Sequence, residues 1–380
     1  MRKQRIAILG AGNGGHAMAA HKSLDGIDVN LFELPRFENN VQKVLATKTI
    51  TIEWPDREET VEIHDVTTDI LSALKGVELI FVVTPAFGHK TMAELCAPHL
   101  ADGHIVVLMP GSGGSLEFAR ILDERGSEKD VVICESSTLP YGARLSGPGH
   151  VIIHIEALIL PTGVFPANRT TETIAKLKEV YPAITPATNV IEAALNNPNP
   201  IVHPAATLLS ATRIEYSDGE FYLYKEGMTP SVARVYEALD RERHMLLNKL
   251  GLKFHHFQDL GLIDHNLGET IQACYEDILM TTMDAAFGDQ SIDAGIQMRG
   301  PTSMMDRYIT EDVPYGLVLI SSLGHLVGIP TPVTDSIIEI TGAINRTDYR
   351  KEGRGIDQLG LGMMTIEQIH EYLDTKKKEI

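Results

Sequence analysis

The stretch RIAILGAGNGGHAMAAH, residues 5–21, constrains the fold more than any other part of the chain. An apolar, strand-like run breaks into glycines and then into a small-residue helical segment. Gly10, Gly12 and Gly15 stand at the break in G-x-G-x-x-G spacing. The first permits a tight turn, the second lets the backbone approach a pyrophosphate, and the third lets the helix pack closely on the strand. The opening turn of the helix then offers unpaired N–H groups and a positive dipole end to phosphate. The spacing alone is weak evidence, but set between a strand and a helix it points to dinucleotide binding. Gly10, Gly12, Asn13, Gly14 and Gly15 are therefore the residues expected around the phosphates.

Such a turn implies a β-α-β unit, and the following residues continue the alternation. Strands are expected at 5–9, 28–33, 78–84, 104–109 and 130–135, with helices at 13–24, 87–100 and 115–125. Near-continuous apolar strands alternating with helices predict a parallel sheet covered on both faces. Residues 49–54 and 60–64 alternate apolar and polar around PDRE and read as a hairpin in the same domain. VIIHIEALIL, residues 151–160, reads as one further strand, with a helix over 170–180. After the small-residue stretch YPAITPATNV the texture turns helical, at 204–214, 230–250, 267–286, 315–327 and 332–344. The expectation is an α/β N-terminal Rossmann-type domain with a parallel sheet over 1–187, and an all-α C-terminal domain over 188–380.

The chain has 380 residues, enough for two cores. Its net charge of −18 argues against nucleic acid or an anionic membrane as the main partner. No long uncharged apolar run reads as a membrane span, and MRKQRIAILG leads straight into a strand, leaving no room for a signal peptide. Cys96, Cys134 and Cys274 fit neither a disulfide nor a zinc spacing and suit a reducing cytoplasm. No metal site is expected: adjacent His255 and His256 cannot easily share an ion, because neighbouring side chains diverge on a strand or a helix.

Glu33 closes the second strand, where a carboxylate can accept hydrogen bonds from the adenosine ribose and would repel an added phosphate. Arg36 follows and pulls the other way, so NAD(H) is favoured with NADP(H) as the alternative. Thr84 and Pro85, after another strand, should face the same cleft, because ligands bind outside the carboxyl ends of the strands. The turn carrying Gly111, Gly113 and Gly114 is open to either a structural or a cofactor role. His89 and His99 read as surface or helix-packing residues.

A dehydrogenase must move a proton as the hydride moves, and histidine is the usual carrier. Among fifteen histidines, His203 has unusual surroundings in NNPNPIVHPAATLLS. Pro204 suits a first helical turn and pushes His203 toward extended backbone, so the ring is expected near a helix N-terminus at the domain junction. In MDRYITEDVPYG, Asp312 is a candidate to fix the tautomer of a catalytic histidine, and Arg307 to grip a carboxylate with two parallel bonds. Glu311 completes a cluster that composition alone reads as surface charge. Met304, Met305, Tyr222, Tyr224 and Glu215 stay open between packing and substrate contact, the tyrosines alternating as on a strand.

Taken together and in order, GAGNGGHAMA, NNPNPIVHPAATLL, R-I-E followed by YKEGMTPSVARVYEALDRER, and DRYITEDVPYGLV resemble the opine dehydrogenases of the octopine/nopaline type. The resemblance spans nearly the whole chain. It implies a Rossmann domain meeting a helical domain, with the active site between them. It also implies reductive condensation of a 2-oxo acid, often pyruvate, with the amino group of an amino acid by NAD(P)H. On this resemblance the catalytic histidine falls on His203, its aspartate partner on Asp312 and the substrate-contacting arginine on Arg307. Where the family often has an asparagine after the histidine helix, this chain has Ser210, which puts any substrate contact from that turn in question. Ser137, Thr138 and Arg144, in the turn after the strand ending at Glu135, are candidates for the oxo acid's carboxylate. The sequence leaves the oligomeric state open, a homodimer being one possibility.

Two other readings remain open at the level of sequence. One is a 2-hydroxy acid, glycerol-phosphate or ketopantoate-type dehydrogenase, but those rely on a lysine at the catalytic helix and PAATLLSATRI has none. The other is a non-catalytic NAD-binding sensor, which would need no proton relay.

Overall fold

The computed structural model describes residues 4–227, 229–254, 300–362 and 364–377. The chain up to Ala194, joined by a C-terminal stretch from Glu371, makes one compact unit, and Leu195–His370 makes the other. The expected helix at 267–286, Cys274, His255 and His256 lie outside the described residues.

The first unit holds two sheets. Its strands are β1 (Arg5–Leu9), β2 (Asp28–Phe32), β3 (Thr49–Trp54), β4 (Arg57–Glu62), β5 (Asp65–Thr67), β6 (Leu79–Val82), β7 (Ile105–Leu108), β8 (Val132–Ser136), β9 (Tyr141–Gly147), β10 (His150–Glu156), β11 (Leu160–Phe165) and β12 (Ile184–Pro186). The large sheet runs β12-β11-β8-β7-β6-β1-β2-β5 and is parallel except where β11 meets β8. β6 and β7 are buried along their length, and β1 after Arg5, as apolar runs require when helices cover both faces. Each fully buried isoleucine, such as Ile6 or Ile8, contributes about 1.5–3 kcal/mol.

The expected hairpin forms, with Trp54 opposite Arg57, but it joins a separate four-stranded sheet ordered β4-β3-β10-β9. The helix Asn13–Leu24 packs against both sheets. That is why its residues Gly15–Ala20 are all buried and why it is built of small side chains, without one apolar stripe.

The run 151–160 is not one strand. It divides between β10, in the small sheet, and β11, in the large one, with Leu158 exposed between them. An apolar run does not reveal where the chain changes sheets.

In the second unit, the helix Pro230–Lys249 and the helix Pro332–Asn345 follow the expected pattern. Glu242 of the first joins them. Its buried carboxylate accepts from the N–H groups of Val333 and Thr334 and from the Thr334 hydroxyl, closing the N-terminus of the second helix. The helix expected at 204–214 starts earlier. It runs Asn199–Leu209, breaks at Ser210 and resumes as Ala211–Tyr216. Asn197 caps it through the N–H of Asn199, and Pro200 takes the second position, where its missing donor costs nothing. Pro204 therefore sits inside the helix, not at its start. Likewise the helix expected from 315 begins at Val318, after a π-helical turn over Val313–Leu317. Leu223–Gly227 is another such turn, so Tyr222 does not lie on a strand.

Candidate active site

The glycine-rich turn has the geometry its sequence requires. Gly10 has φ +104°, and a Cβ there would lie 2.6 Å from both the Thr84 Cγ2 and the Val83 carbonyl oxygen. A Cβ on Gly15 would lie 1.8 Å from the Gly10 carbonyl oxygen, a clash with backbone that cannot be relieved locally. Gly12 differs: among the described residues nothing lies within 4 Å of its Cβ position. It is the N-cap of the helix, and no side chain of the described residues caps that end. An open glycine backbone beneath an uncapped helix N-terminus fits a pyrophosphate. Thr84 closes one side of the turn, its buried hydroxyl unpartnered among the described residues, with Pro85 half-buried after it.

Glu33 lies beneath the turn. One carboxylate oxygen accepts from the Ala11 N–H at 3.1 Å and the other from the Leu34 N–H at 2.8 Å. Burial pushes its carboxyl above the usual value, against the lowering pull of those two donors, Asn40 and Arg36. With Asn40 also donating to it, the carboxylate keeps one of its roughly four acceptor positions for a hydroxyl. Arg36 is exposed and lies over the Phe37 ring, 4.9 Å from its centroid. Asn13 has a packing duty besides any ligand: its Oδ1 accepts from the Leu145 N–H of β9 at 3.0 Å.

Sequence reasoning passed over His16. Its ring is buried, and Nδ1–H donates to the Gly12 carbonyl at 3.1 Å. Burial lowers its pKa, with the Gly12 and Ala11 carbonyls opposing. The ring is thus a neutral strut under the turn.

The second glycine-rich turn is accounted for internally. Glu135, fully buried at the end of β8, accepts from the N–H groups of Gly113 and Ser115, both at 2.9 Å, and from the Ser115 hydroxyl. This carboxylate occupies the N-terminus of the helix Gly114–Glu124. Gly111 is needed because a Cβ would lie 2.1 Å from that of Glu135. His89 is buried against Gly114 as a packing residue.

Beyond Glu135, Leu139 packs 3.3 Å from the Cβ position of Gly14, so the turn carrying Thr138 stands beside the glycine-rich helix start. Ser137 is buried with its hydroxyl unpartnered among the described residues, and the Thr138 carbonyl accepts from the Ser136 hydroxyl. Arg144, half-buried on β9, donates to the Ala143 carbonyl at 3.0 Å. Glu53, Glu58 and His150, on the solvent-facing side of the small sheet, bring potential ligand atoms within 4.8 Å of one another, with His150 hydrogen-bonded to Glu53.

In the second unit the structure brings His203 and Asp312 together. His203 Nδ1 lies 2.8 Å from Asp312 Oδ2, with the two side chains 13% and 10% exposed. The contact depends on close packing. A Cβ on Gly316 would lie 2.1 Å from Pro200 Cγ, so only glycine lets the turn after Asp312 nest on the start of the histidine helix. The carboxylate accepts Nδ1–H and so selects that tautomer of the ring. The pair spans 109 residues of sequence.

Tyr308 is a second feature that sequence reasoning missed. Its ring stacks on His203 with centroids 4.0 Å apart and planes at 20°. The signal was its separation of four from Asp312, one helical turn. Asp306 caps the short helix Arg307–Thr310 by accepting from the Tyr308 N–H. Arg307 opens that helix and is exposed. Met304 is buried and Met305 exposed.

Comparison with known proteins agrees with this construction. Residues 186–345 match the family model described as NAD/NADP octopine/nopaline dehydrogenase, alpha-helical domain, and residues 6–159 match that of ketopantoate reductase PanE/ApbA. An opine dehydrogenase from Arthrobacter sp. (strain 1C) is 32% identical over 96% of this chain and 97% of its own. The fold is that of octopine dehydrogenase solved with NADH and L-arginine, at a TM-score of 0.74 and 20% identity over the whole of both chains. It is also that of yersinopine dehydrogenase with NADP+ bound, at 0.69 and 16% over 98% of each. Among the described residues no helix is long and apolar enough to cross a membrane. A Rossmann cradle, a helical unit that aligns His203 with Asp312, and an opine dehydrogenase relative 32% identical over 96% of the chain identify it as a member of the opine dehydrogenase family, NAD(P)-dependent oxidoreductases acting on CH–NH bonds.

Proposed function

We propose that the chain condenses a 2-oxo acid, pyruvate by preference, with the amino group of an amino acid and reduces the resulting imine to a secondary-amine dicarboxylate. The observation that carries this is the His203–Asp312 pair at 2.8 Å, with Arg307 five residues from Asp312 in the same segment.

The chemistry asks each residue for one task. Attack of the amine on the keto carbon gives a carbinolamine, whose hydroxyl must leave as water. His203, as imidazolium, donates the Nε2 proton to that hydroxyl, and Asp312 stabilises the charged ring and holds its tautomer. Arg307 neutralises a substrate carboxylate through paired N–H groups. Thr138 and Arg144 are assigned to the oxo acid's carboxylate. Gly10, Gly12, Asn13, Gly14, Gly15, Thr84 and Pro85 would hold the dinucleotide. When bound, the reduced nicotinamide supplies the hydride that converts the imine carbon to CH–NH. Glu33 favours NAD(H), because its carboxylate accepts ribose hydroxyls and repels a phosphate at that position; Arg36 offers NADPH a partial alternative.

The buried thiols Cys96 and Cys134 suit a reducing compartment, and we place the protein in the cytoplasm as a homodimer. The direct test follows NADH oxidation with pyruvate alone and then with a panel of amino acids, with the product identified by mass spectrometry. Oxidation that does not need the amine would overturn the proposal in favour of a hydroxy-acid dehydrogenase. Tight NADH binding without turnover would favour a sensor.

A further inference from the structure

We propose that Glu53, Glu58 and His150 form a zinc site on the solvent-facing side of the small sheet. The three residues come from three hydrogen-bonded strands. β3 sets Glu53 directly opposite Glu58 of β4, and β10 runs along the other edge of β3 with His150 opposite Thr51. Side chains two apart on a strand share a face, so the imidazole and both carboxylates stand on the side away from the buried Ile50, Ile52 and Val151.

Two carboxylates facing each other across a strand pair repel. Among the described residues no lysine or arginine pairs with either of them. Their ion-pair partner is His150, whose Nε2 lies 3.1 Å from Glu53 Oε2 and 3.8 Å from Glu58 Oε2. One imidazole shared between two carboxylates leaves an excess of negative charge whatever the state of the ring. A divalent cation removes that excess, and the spacing fits zinc. Around a tetrahedral Zn2+ with bonds of about 2.0–2.2 Å, ligand atoms stand about 3.3–3.6 Å apart. The distances of 3.1 and 3.8 Å bracket that edge, and the three ligand atoms all lie within 4.8 Å of one another. Small side-chain turns therefore bring three ligands onto the ion while the sheet ladder holds their backbones, with water as the fourth. Zn2+ takes the place of the proton that Nε2 shares with Glu53. An imidazole beside two carboxylates suits Zn2+ better than Mg2+ or Ca2+, which take six or more oxygen ligands. The ion would join β4, β3 and β10, strands against which the helix Asn13–Leu24 packs. No sequence spacing marks the site, because residues 53, 58 and 150 meet only once the sheet is assembled.

The test uses the full-length, chelator-treated protein with ZnCl2 as the only added ligand. Native mass spectrometry should count one zinc per chain. Saturating ZnCl2 should raise Tm by at least about 2 °C, and MgCl2 at the same concentration should not. Glu58→Gln and His150→Gln should each weaken zinc binding about tenfold or more and abolish the rise. Without zinc, Glu58→Gln removes one of two opposed charges and should melt no lower than the parent, which separates a lost ligand from a lost fold. A parent that binds no zinc, a rise that survives in either variant, or an equal rise with MgCl2 would overturn the proposal. If neither variant folds, the 15N resonance of His150 Nε2 in the parent decides. It must move on addition of ZnCl2, and an unmoved resonance refutes the site.

Discussion

Replacing Asp312 with asparagine keeps the shape of the side chain and removes its charge. The 2.8 Å bond to His203 Nδ1 joins two side chains that are each less than one-seventh exposed, so solvent screens it little. A hydrogen bond to a charged group contributes about 1.5–3 kcal/mol, and losing that from the imidazolium that must be populated before His203 can donate its proton predicts a fall in kcat of about 10- to 150-fold. The amide oxygen of asparagine can still accept from Nδ1–H, which places Asp312→Asn toward the lower end. Asp312→Ala leaves Nδ1 without that acceptor and frees the tautomer, so its loss should be larger. The assay is the initial rate of NADH oxidation with pyruvate and the best amino acid, alongside the NADH dissociation constant from fluorescence. The constant should not move. A loss of kcat below about threefold, or a loss appearing wholly as weaker NADH binding, would refute the acid–base pairing.

Gly12→Ala should leave thermal stability intact, since the added methyl meets open space, yet weaken NADH binding measurably; Gly15→Ala should lower Tm sharply because its Cβ would lie 1.8 Å from a carbonyl oxygen. Equal effects of the two on Tm would contradict the geometry. Glu135→Ala strips the acceptor from Gly113, Ser115 and the Ser115 hydroxyl and should cost about 3 kcal/mol or more in denaturant unfolding. His16 has a pKa below its ordinary 6.5, so the unfolded chain binds a proton first as pH falls. Its contribution is whole above pH 6.5 and is lost as pH drops toward the folded value. A His16→Gln variant should therefore show a flatter Tm profile than the parent between neutral pH and about pH 5, and parallel profiles would remove His16 from the account.

What could be read from the sequence was whatever local periodicity and glycine chemistry encode. Arg5–Leu9 and Asn13–Leu24 form at the expected residues, because the apolar strand and the small-residue helix each have one way to bury themselves. The run 151–160 failed as a single strand because a continuous apolar pattern is compatible with either sheet, and the crossing at Leu158 depends on partners elsewhere in the chain. The histidine helix starts ahead of Pro204 because Asn197, accepting from the Asn199 N–H, and Pro200 already make a helix beginning. His203 and Asp312 were legible as residue types and as a family resemblance, and the structure pairs them. Tyr308 was not, since an aromatic residue at a buried position ordinarily only packs, and its stacking exists only once the two segments meet.

The two glycine-rich turns of the first unit show why motif spacing alone could not place the cofactor. Both end in a helix N-terminus, and both could attract an anion through their first-turn N–H groups. At the helix Gly114–Glu124 the anion is part of the protein: Glu135, buried at the end of β8, takes the N–H groups of Gly113 and Ser115. Glu242 does the same for the helix Pro332–Asn345 in the second unit. At Gly12, among the described residues, no side chain caps the helix and nothing lies within 4 Å of the Cβ position. Glu33, the nearest carboxylate by sequence design, bonds instead to Ala11 and Leu34, beneath the turn and not across its helix end. Where the chain supplies its own carboxylate a turn is structural, and where it withholds one a diphosphate can bind. The distinction lies in a residue 22 positions away from Gly113, and it emerges only when the strands are assembled.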